Sequence, residues 1–177
     1  SAHAGVILPS HGRYVGASSK PMTEYRKQPG DRLGFNWMMP NVAGKRAIRH
    51  VIYDSNYWKS FVHARLAVAL ADKGSLTLYG RIPGVHQLLA EHLTAEYRVK
   101  TQGRGRTVDE WKLKPQSHNN HWLDCCAGGA VCASMLGATM PEFLPVRAAP
   151  KVRLRLSQKR TGGTVTTSAE PIRTGGK

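Results

Sequence analysis

Val51-Ile52-Tyr53 runs continuously apolar into Asp54, and Asp54 stands where the next segment needs an N-cap. Trp58, Phe61, Val62, Leu66 and Leu70 then follow at spacings of three and four, which predicts an amphipathic helix over 55–71. A strand that passes straight into a helix restricts the chain to architectures in which helices pack on a sheet. The remaining pattern agrees. An apolar run predicts a short buried strand over 4–8, closed by Pro9 and a polar turn at 10–12, and further strands are expected over 33–38, 46–53 and 75–79. A helix is expected over 85–94 with Leu88, Leu89 and Leu93 as its buried face. Residues 97–101 and 107–113 flank Gln102-Gly103-Arg104-Gly105-Arg106 and read as a β-hairpin with a basic, glycine-rich tip at one edge of the sheet. The expected class is α/β, a mixed sheet with flanking helices.

The last long helix is expected over 121–137, with Asn119 or Asn120 as its cap. Trp122, Leu123, Cys126, Ala130 and Val131 give it an apolar surface, and Gly128 and Gly129 permit close approach of a neighbour. Asp124 is its one acid. A carboxylate on a largely buried helix is costly unless a cation or hydrogen bonds compensate it, so Asp124 reads either as a ligand for Mg²⁺ or Mn²⁺ or as a first-turn acid stabilised by the helix dipole. His118, His121 and Cys125 do not complete a tetrahedral zinc set, and no C-x-x-C pair accompanies them. The three cysteines share one helix, which argues against a disulfide framework and for a reducing cytoplasm.

Charge narrows the partners. The 177 residues carry 26 Lys and Arg against 11 Asp and Glu, a formal charge of +15. Residues 1–137 hold 18 of the basic and 9 of the acidic side chains, so the expected folded part is itself basic. Such a field attracts polyanions, nucleic acid first and anionic membrane next. No apolar run approaches the roughly 18 residues a membrane span requires, so no membrane insertion is expected. One core is expected over 1–137, with a surface loop at 16–31 outside it. Residues 138–177 read as a basic, disordered tail in which 152–156 alternates like an edge strand. The chain starts at Ser1 without a signal-peptide pattern, and we read it as a piece of a longer protein.

Three places suggest chemistry. Asp54 ends a strand and Lys59 lies about one and a half turns into the next helix, at the kind of strand end where α/β proteins assemble sites; the alternative is a capping acid followed by a solvated lysine. Arg104 and Arg106, with Lys112 and Lys114 further along the hairpin, suit contacts to a DNA backbone. Neither a G-x-x-x-x-G-K-[ST] phosphate loop nor a G-x-S-x-G elbow occurs. Metal-assisted phosphodiester hydrolysis is consistent with a basic surface and scattered carboxylates.

The segments IRHVIYDSNYWKSFVHARL, LAEHLTAEYRVKTQGRGRTVDEWKL and NNHWLDCCAGGAVCASMLG, in that order, resemble the C-terminal nuclease region of lambda-type terminase large subunits of tailed bacteriophages and prophages. The resemblance covers about residues 4–137. It implies a ribonuclease H-like fold whose acids, on a central sheet and a flanking helix, bind two Mg²⁺ or Mn²⁺ ions and cut double-stranded DNA. By this resemblance Asp124 is similar to the helix acid that completes the metal site, and Asp54 and Lys59 match a strand-end acid and a helix lysine that recur in the family. It also implies a small terminase subunit and a portal protein as partners, and the host cytoplasm as the location. The strands that bring the other metal-binding aspartates, and the packaging ATPase before them, are not in this chain, so an incomplete ribonuclease H-like domain is expected. A non-catalytic basic DNA-binding or assembly module is the competing expectation.

Overall fold

Val51–Asp54 is buried at all four positions, because strands flank it on both edges and side chains cover both of its faces. The computed structural model describes residues 7–41, 48–82, 84–117 and 119–138. Its elements are β1 (Ser10–Arg13), a single 3₁₀ turn (Met22–Glu24), β2 (Arg32–Gly34), β3 (Trp37–Met39), β4 (Val51–Asp54), α1 (Ser55–Leu66), α2 (Gln87–Leu93), β5 (Glu96–Gly103), β6 (Arg106–Leu113) and α3 (His121–Met135). The first four strands form one sheet in the order β1-β4-β3-β2. β1 runs parallel to β4, whereas β3 runs antiparallel to β4 and β2 to β3, so the sheet is mixed. The class is α/β, as expected.

Strand alternation gives β4 two different neighbourhoods. Val51 and Tyr53 meet Trp37, Met39 and Trp58 together with Ala127 and Val131 of α3. Ile52, on the other face, meets Val15 and Met22. Leu123, Ala127 and Val131 recur every four residues and form the buried stripe of α3. Two indoles fix the layers: Trp58 Nε1 donates to the Asn36 carbonyl at 3.1 Å, and Trp37 Nε1 donates to Ser134 Oγ at 3.2 Å.

Several expectations need correction. The first strand lies at Ser10–Arg13, where the sequence reads as a turn, while Ile7 and Leu8 are exposed and 4–6 fall outside the described residues. Pairing of Ser10 through Arg13 with Val51 through Asp54, and not an apolar pattern, makes this strand. The expected strand at 33–38 is a tight β2-β3 hairpin turning at Phe35-Asn36, with Asn36 in the left-handed region at φ 55°. Gly34 is obligatory there, since a Cβ would lie 2.0 Å from the Trp37 ring. β4 begins only at Val51, and 46–47 lie outside the described residues.

Residues 75–79 alternate but find no partner strand and remain irregular. α1 stops at Leu66, leaving Leu70 exposed, and α2 exposes Leu88 while burying Leu93. The loop after β1 is not all surface: Ala17 and Met22 are buried. The β5-β6 hairpin is a separate two-stranded sheet, not an edge of the main one. Its tip is only Arg104-Gly105, with φ of 50° and 71°, values that match the type I′ geometry of two-residue hairpins. The expected tail and the strand at 152–156 lie outside the described residues.

Candidate functional site

α1 carries a second stripe besides its apolar one. Asn56, Lys59, Ser60 and His63 recur at helical spacing, and the β5-β6 hairpin lies on this polar face. Asn56 Oδ1 accepts the Trp111 backbone N–H at 2.9 Å, and Ser60 Oγ accepts Trp111 Nε1–H at 2.9 Å. The His63 ring stacks on Trp111 with centroids 4.4 Å apart, and burial pushes its pKa down. Lys59, expected at the solvent side or in a site, is buried.

Lys59 has two acidic partners on different elements. Its Nζ donates to Glu96 Oε1 of β5 at 2.5 Å and lies 2.9 Å from Asp124 Oδ1 of α3. The Glu96 side chain is 4 % exposed and that of Asp124 45 %, so the ammonium is enclosed on one side and reachable on the other. Asn120, the residue before α3, makes no side-chain cap bond; its amide donates to Glu96 instead. The negative charge of Asp124 is also felt by Tyr53, whose phenol is pushed up first by burial and then by that carboxylate.

The structure therefore joins Lys59 and Asp124, and adds Glu96, which was not singled out from the sequence, and Asn120, which was read there only as a helix cap. Their signal was available only in part. Glu96 opens a strand and Asn120 precedes a helix, and both read as ordinary boundary residues until the hairpin is packed on α1.

Asp54 is placed differently. It caps α1, accepting the Tyr57 N–H at 3.2 Å, and no hydrogen bond or ion pair among the described residues links it to Lys59 or Asp124. Burial pushes its carboxyl up to about 6, against the opposing effects of the Tyr57 and Asn56 backbone N–H groups and of Arg106. Asp109 meets Arg98 and Lys100, each at 3.4 Å, while Glu110 accepts the Ala17 N–H at 3.0 Å.

The four basic hairpin residues do not form one cluster. Lys112 pairs across the strands with Tyr97, beside the Glu96–Leu113 pair at the base, whereas Arg106 pairs with Gly103 at the tip. Strands of 8 residues hold these ends roughly 20 Å apart. One terminal nitrogen of Arg106 donates to the carbonyls of both Gly16 and Ser19, which ties the side chain to the loop after β1. Lys112 and Lys114 are exposed and share the base with the Lys59 cluster.

Hard oxygen donors suit Mg²⁺ or Mn²⁺, which keep several water ligands. Glu96 Oε1 and Asp124 Oδ1 converge on one point, and a cationic group, the Lys59 ammonium, stands there. Two carboxylates with that ammonium between them are fewer donors than such an ion needs. No group of three or more His, Cys, Asp or Glu that could hold a metal exists among the described residues, so they do not build a two-ion centre by themselves. No helix among the described residues is long and apolar enough to cross a membrane. No curated protein and no solved structure matches the chain. A family model of the terminase large subunit gpA endonuclease domain matches residues 38–143.

Proposed function

Because the chain belongs to the terminase large subunit gpA endonuclease family, whose role is that of a packaging nuclease, we propose that it serves in cutting concatemeric double-stranded DNA with Mg²⁺ or Mn²⁺, and that Asp124 is the catalytic acid it contributes. The observation that carries this reading is the convergence of the Asp124 and Glu96 carboxylates on one cationic position, open to solvent from the Asp124 side. A mixed sheet with the Asp124 helix packed across β4 supports a ribonuclease H-like plan. Further strands and acids of the large subunit, beyond those described here, would complete a two-ion centre.

A divalent ion held by Asp124 together with further acids would supply phosphate polarisation and water activation. The chain's own residues do the rest. Asp124 is half exposed with its Oδ1 on the Lys59 ammonium, and Glu96, itself bonded by Asn120, anchors Lys59. Lys112 and Lys114 are exposed near the hairpin base, Lys112 on the face opposite Glu96, and add basic surface for the DNA backbone away from the Asp124 carboxylate. Arg104 extends the basic surface at the tip, and Arg106 contributes there chiefly by anchoring the tip to the loop after β1. The family setting supports a small terminase subunit and a portal protein as partners, a phage or prophage origin, and action in the host cytoplasm.

The Lys59 ammonium on Asp124 equally favours a second reading, a basic DNA-binding or assembly module that uses no metal. Double-stranded DNA binding measured across salt concentrations, with and without Mn²⁺, separates the two. The nuclease reading expects Mn²⁺ to tighten binding through Asp124 and Asp124→Asn to abolish that gain. Affinity that depends on salt alone, and is identical in Asp124→Asn, supports the module instead.

A further inference from the structure

The C-terminal end of α3 sets where the chain goes next. Gly137 stands in the left-handed region at φ 81°, its N–H donates to the Ser134 carbonyl at 3.1 Å, and the Ala138 N–H donates to the Ala133 carbonyl at 3.0 Å. Such a paired glycine cap reverses the backbone at the helix end and brings the residue after the glycine against the last turn. Ala133, Ser134 and Ala138 line one groove of about 830 Å³ between α1 and α3. The chain therefore leaves α3 from the wall of that groove. Tyr57, Trp58 and Phe61 of α1 face Gly129 and Ala130 of α3 across it. A Cβ at Gly129 would meet nothing within 4 Å among the described residues, and Phe35, which also lines the groove, is 59 % exposed. Arg65 is the one charged side chain among the described lining residues.

We propose that this groove is the docking site of the chain's own next segment, Thr139-Met140-Pro141-Glu142-Phe143, with Met140 and Phe143 as apolar anchors and the Glu142 carboxylate toward Arg65. Pro141 cannot continue a helix and disfavours helical backbone at Met140, so the segment suits an extended path. Five extended residues reach up to roughly 17 Å from Ala138, enough to cross a pair of helices packed about 8–10 Å apart. The charges match as well: beyond Asp124 the chain holds only two acids, Glu142 and Glu170, and Glu142 lies between the two anchors. The family match runs past Ala138 to residue 143, which places the segment within the matched domain. A tether this short holds the anchors at an effective concentration in the millimolar range, so they outcompete a second copy of the chain at ordinary protein concentrations.

Cys126 lines the groove and supplies the test. The other two cysteines, Cys125 and Cys132, are exposed and are replaced by Ser in the full chain, so that Cys126 is the one thiol left. Its alkylation by iodoacetamide is followed by mass spectrometry at fixed pH, and circular dichroism establishes that each variant folds. Adding Met140→Ser and Phe143→Ser together is expected to speed alkylation about tenfold, because the covering segment then spends more time undocked. Val152→Ser with Leu154→Ser, further along the same tail, is expected to leave the rate unchanged. If the Met140/Phe143 double variant does not fold, Met140→Ser alone decides by the same comparison, with a severalfold gain expected. An unchanged rate in the folded Met140 or Met140/Phe143 variant overturns the proposal, and so does an equal gain in the Val152/Leu154 control. Alkylation that slows as the protein is concentrated identifies a second copy as the occupant and likewise overturns it.

Discussion

The Lys59 ammonium lies 2.9 Å from Asp124 Oδ1 and ties α1 to α3 through a contact that is enclosed at Lys59 and open at Asp124. The asymmetry predicts unequal costs. Lys59→Ala leaves Glu96 buried without its counter-ion and is expected to cost about 3–5 kcal/mol of stability. Asp124→Asn removes a half-exposed partner while Lys59 keeps Glu96, and is expected to cost less than about 1 kcal/mol. Urea denaturation of both variants checks this, and comparable losses would show that Asp124 is a structural anchor.

Asp54 predicts a pH dependence. Its carboxyl is raised by burial to about 6 in the folded chain, so the folded state binds that proton more tightly than the unfolded state does. The resulting stabilisation is full below the unfolded value and is lost as pH rises through about 6. Asn caps a helix as well as Asp and carries no charge. Asp54→Asn should therefore stabilise the chain by about 1–3 kcal/mol at pH 8, and the gain should vanish near pH 4. Urea midpoints at the two pH values test this; a loss at pH 8, or the same effect at both, is the contrary result.

At the hairpin tip the two arginines should behave differently. Arg104 holds φ 50° beside Gly105 at 71°, a pair of values that Asn-Gly adopts with less strain. Arg104→Asn is expected to stabilise the fold by up to about 1 kcal/mol while lowering the salt slope of DNA binding by about one unit. Arg106→Ala removes the donor to the Gly16 and Ser19 carbonyls and should destabilise the chain by about 1–2 kcal/mol. Thermal melts with DNA titrations at several salt concentrations separate the effects. Equal behaviour of the two variants would mean that Arg106 does not anchor the loop.

What was legible in the sequence was local. The apolar run into Asp54, the stripe of α1 and the stripe of α3 each lie within one segment, and the structure shows the cap bond and both helices. β1 was not legible, because Ser10-His11-Gly12-Arg13 has no alternating pattern and becomes a strand only by pairing with β4. The opposite error arose at 75–79, where alternation exists without a partner. Glu96 escaped notice for a related reason: its meaning comes from Lys59, 37 residues away, and from Asn120, 24 residues away. Lys59 was noticed as chemistry beside Asp54, yet the fold turns it toward Glu96 and Asp124, because residues 56, 59, 60 and 63 form the polar face beneath the hairpin.

The central claim is that Asp124 serves metal-dependent DNA cleavage, and nicking of supercoiled plasmid in Mn²⁺ tests it most directly. The intact terminase large subunit containing this domain should nick the plasmid, and its Asp124→Ala variant should lose at least about 100-fold in rate, a barrier increase of roughly 2.7 kcal/mol. The chain alone should show little or none, since the described residues gather no three metal-ligating side chains. Nicking by the Asp124→Ala subunit at the unaltered rate would contradict the account.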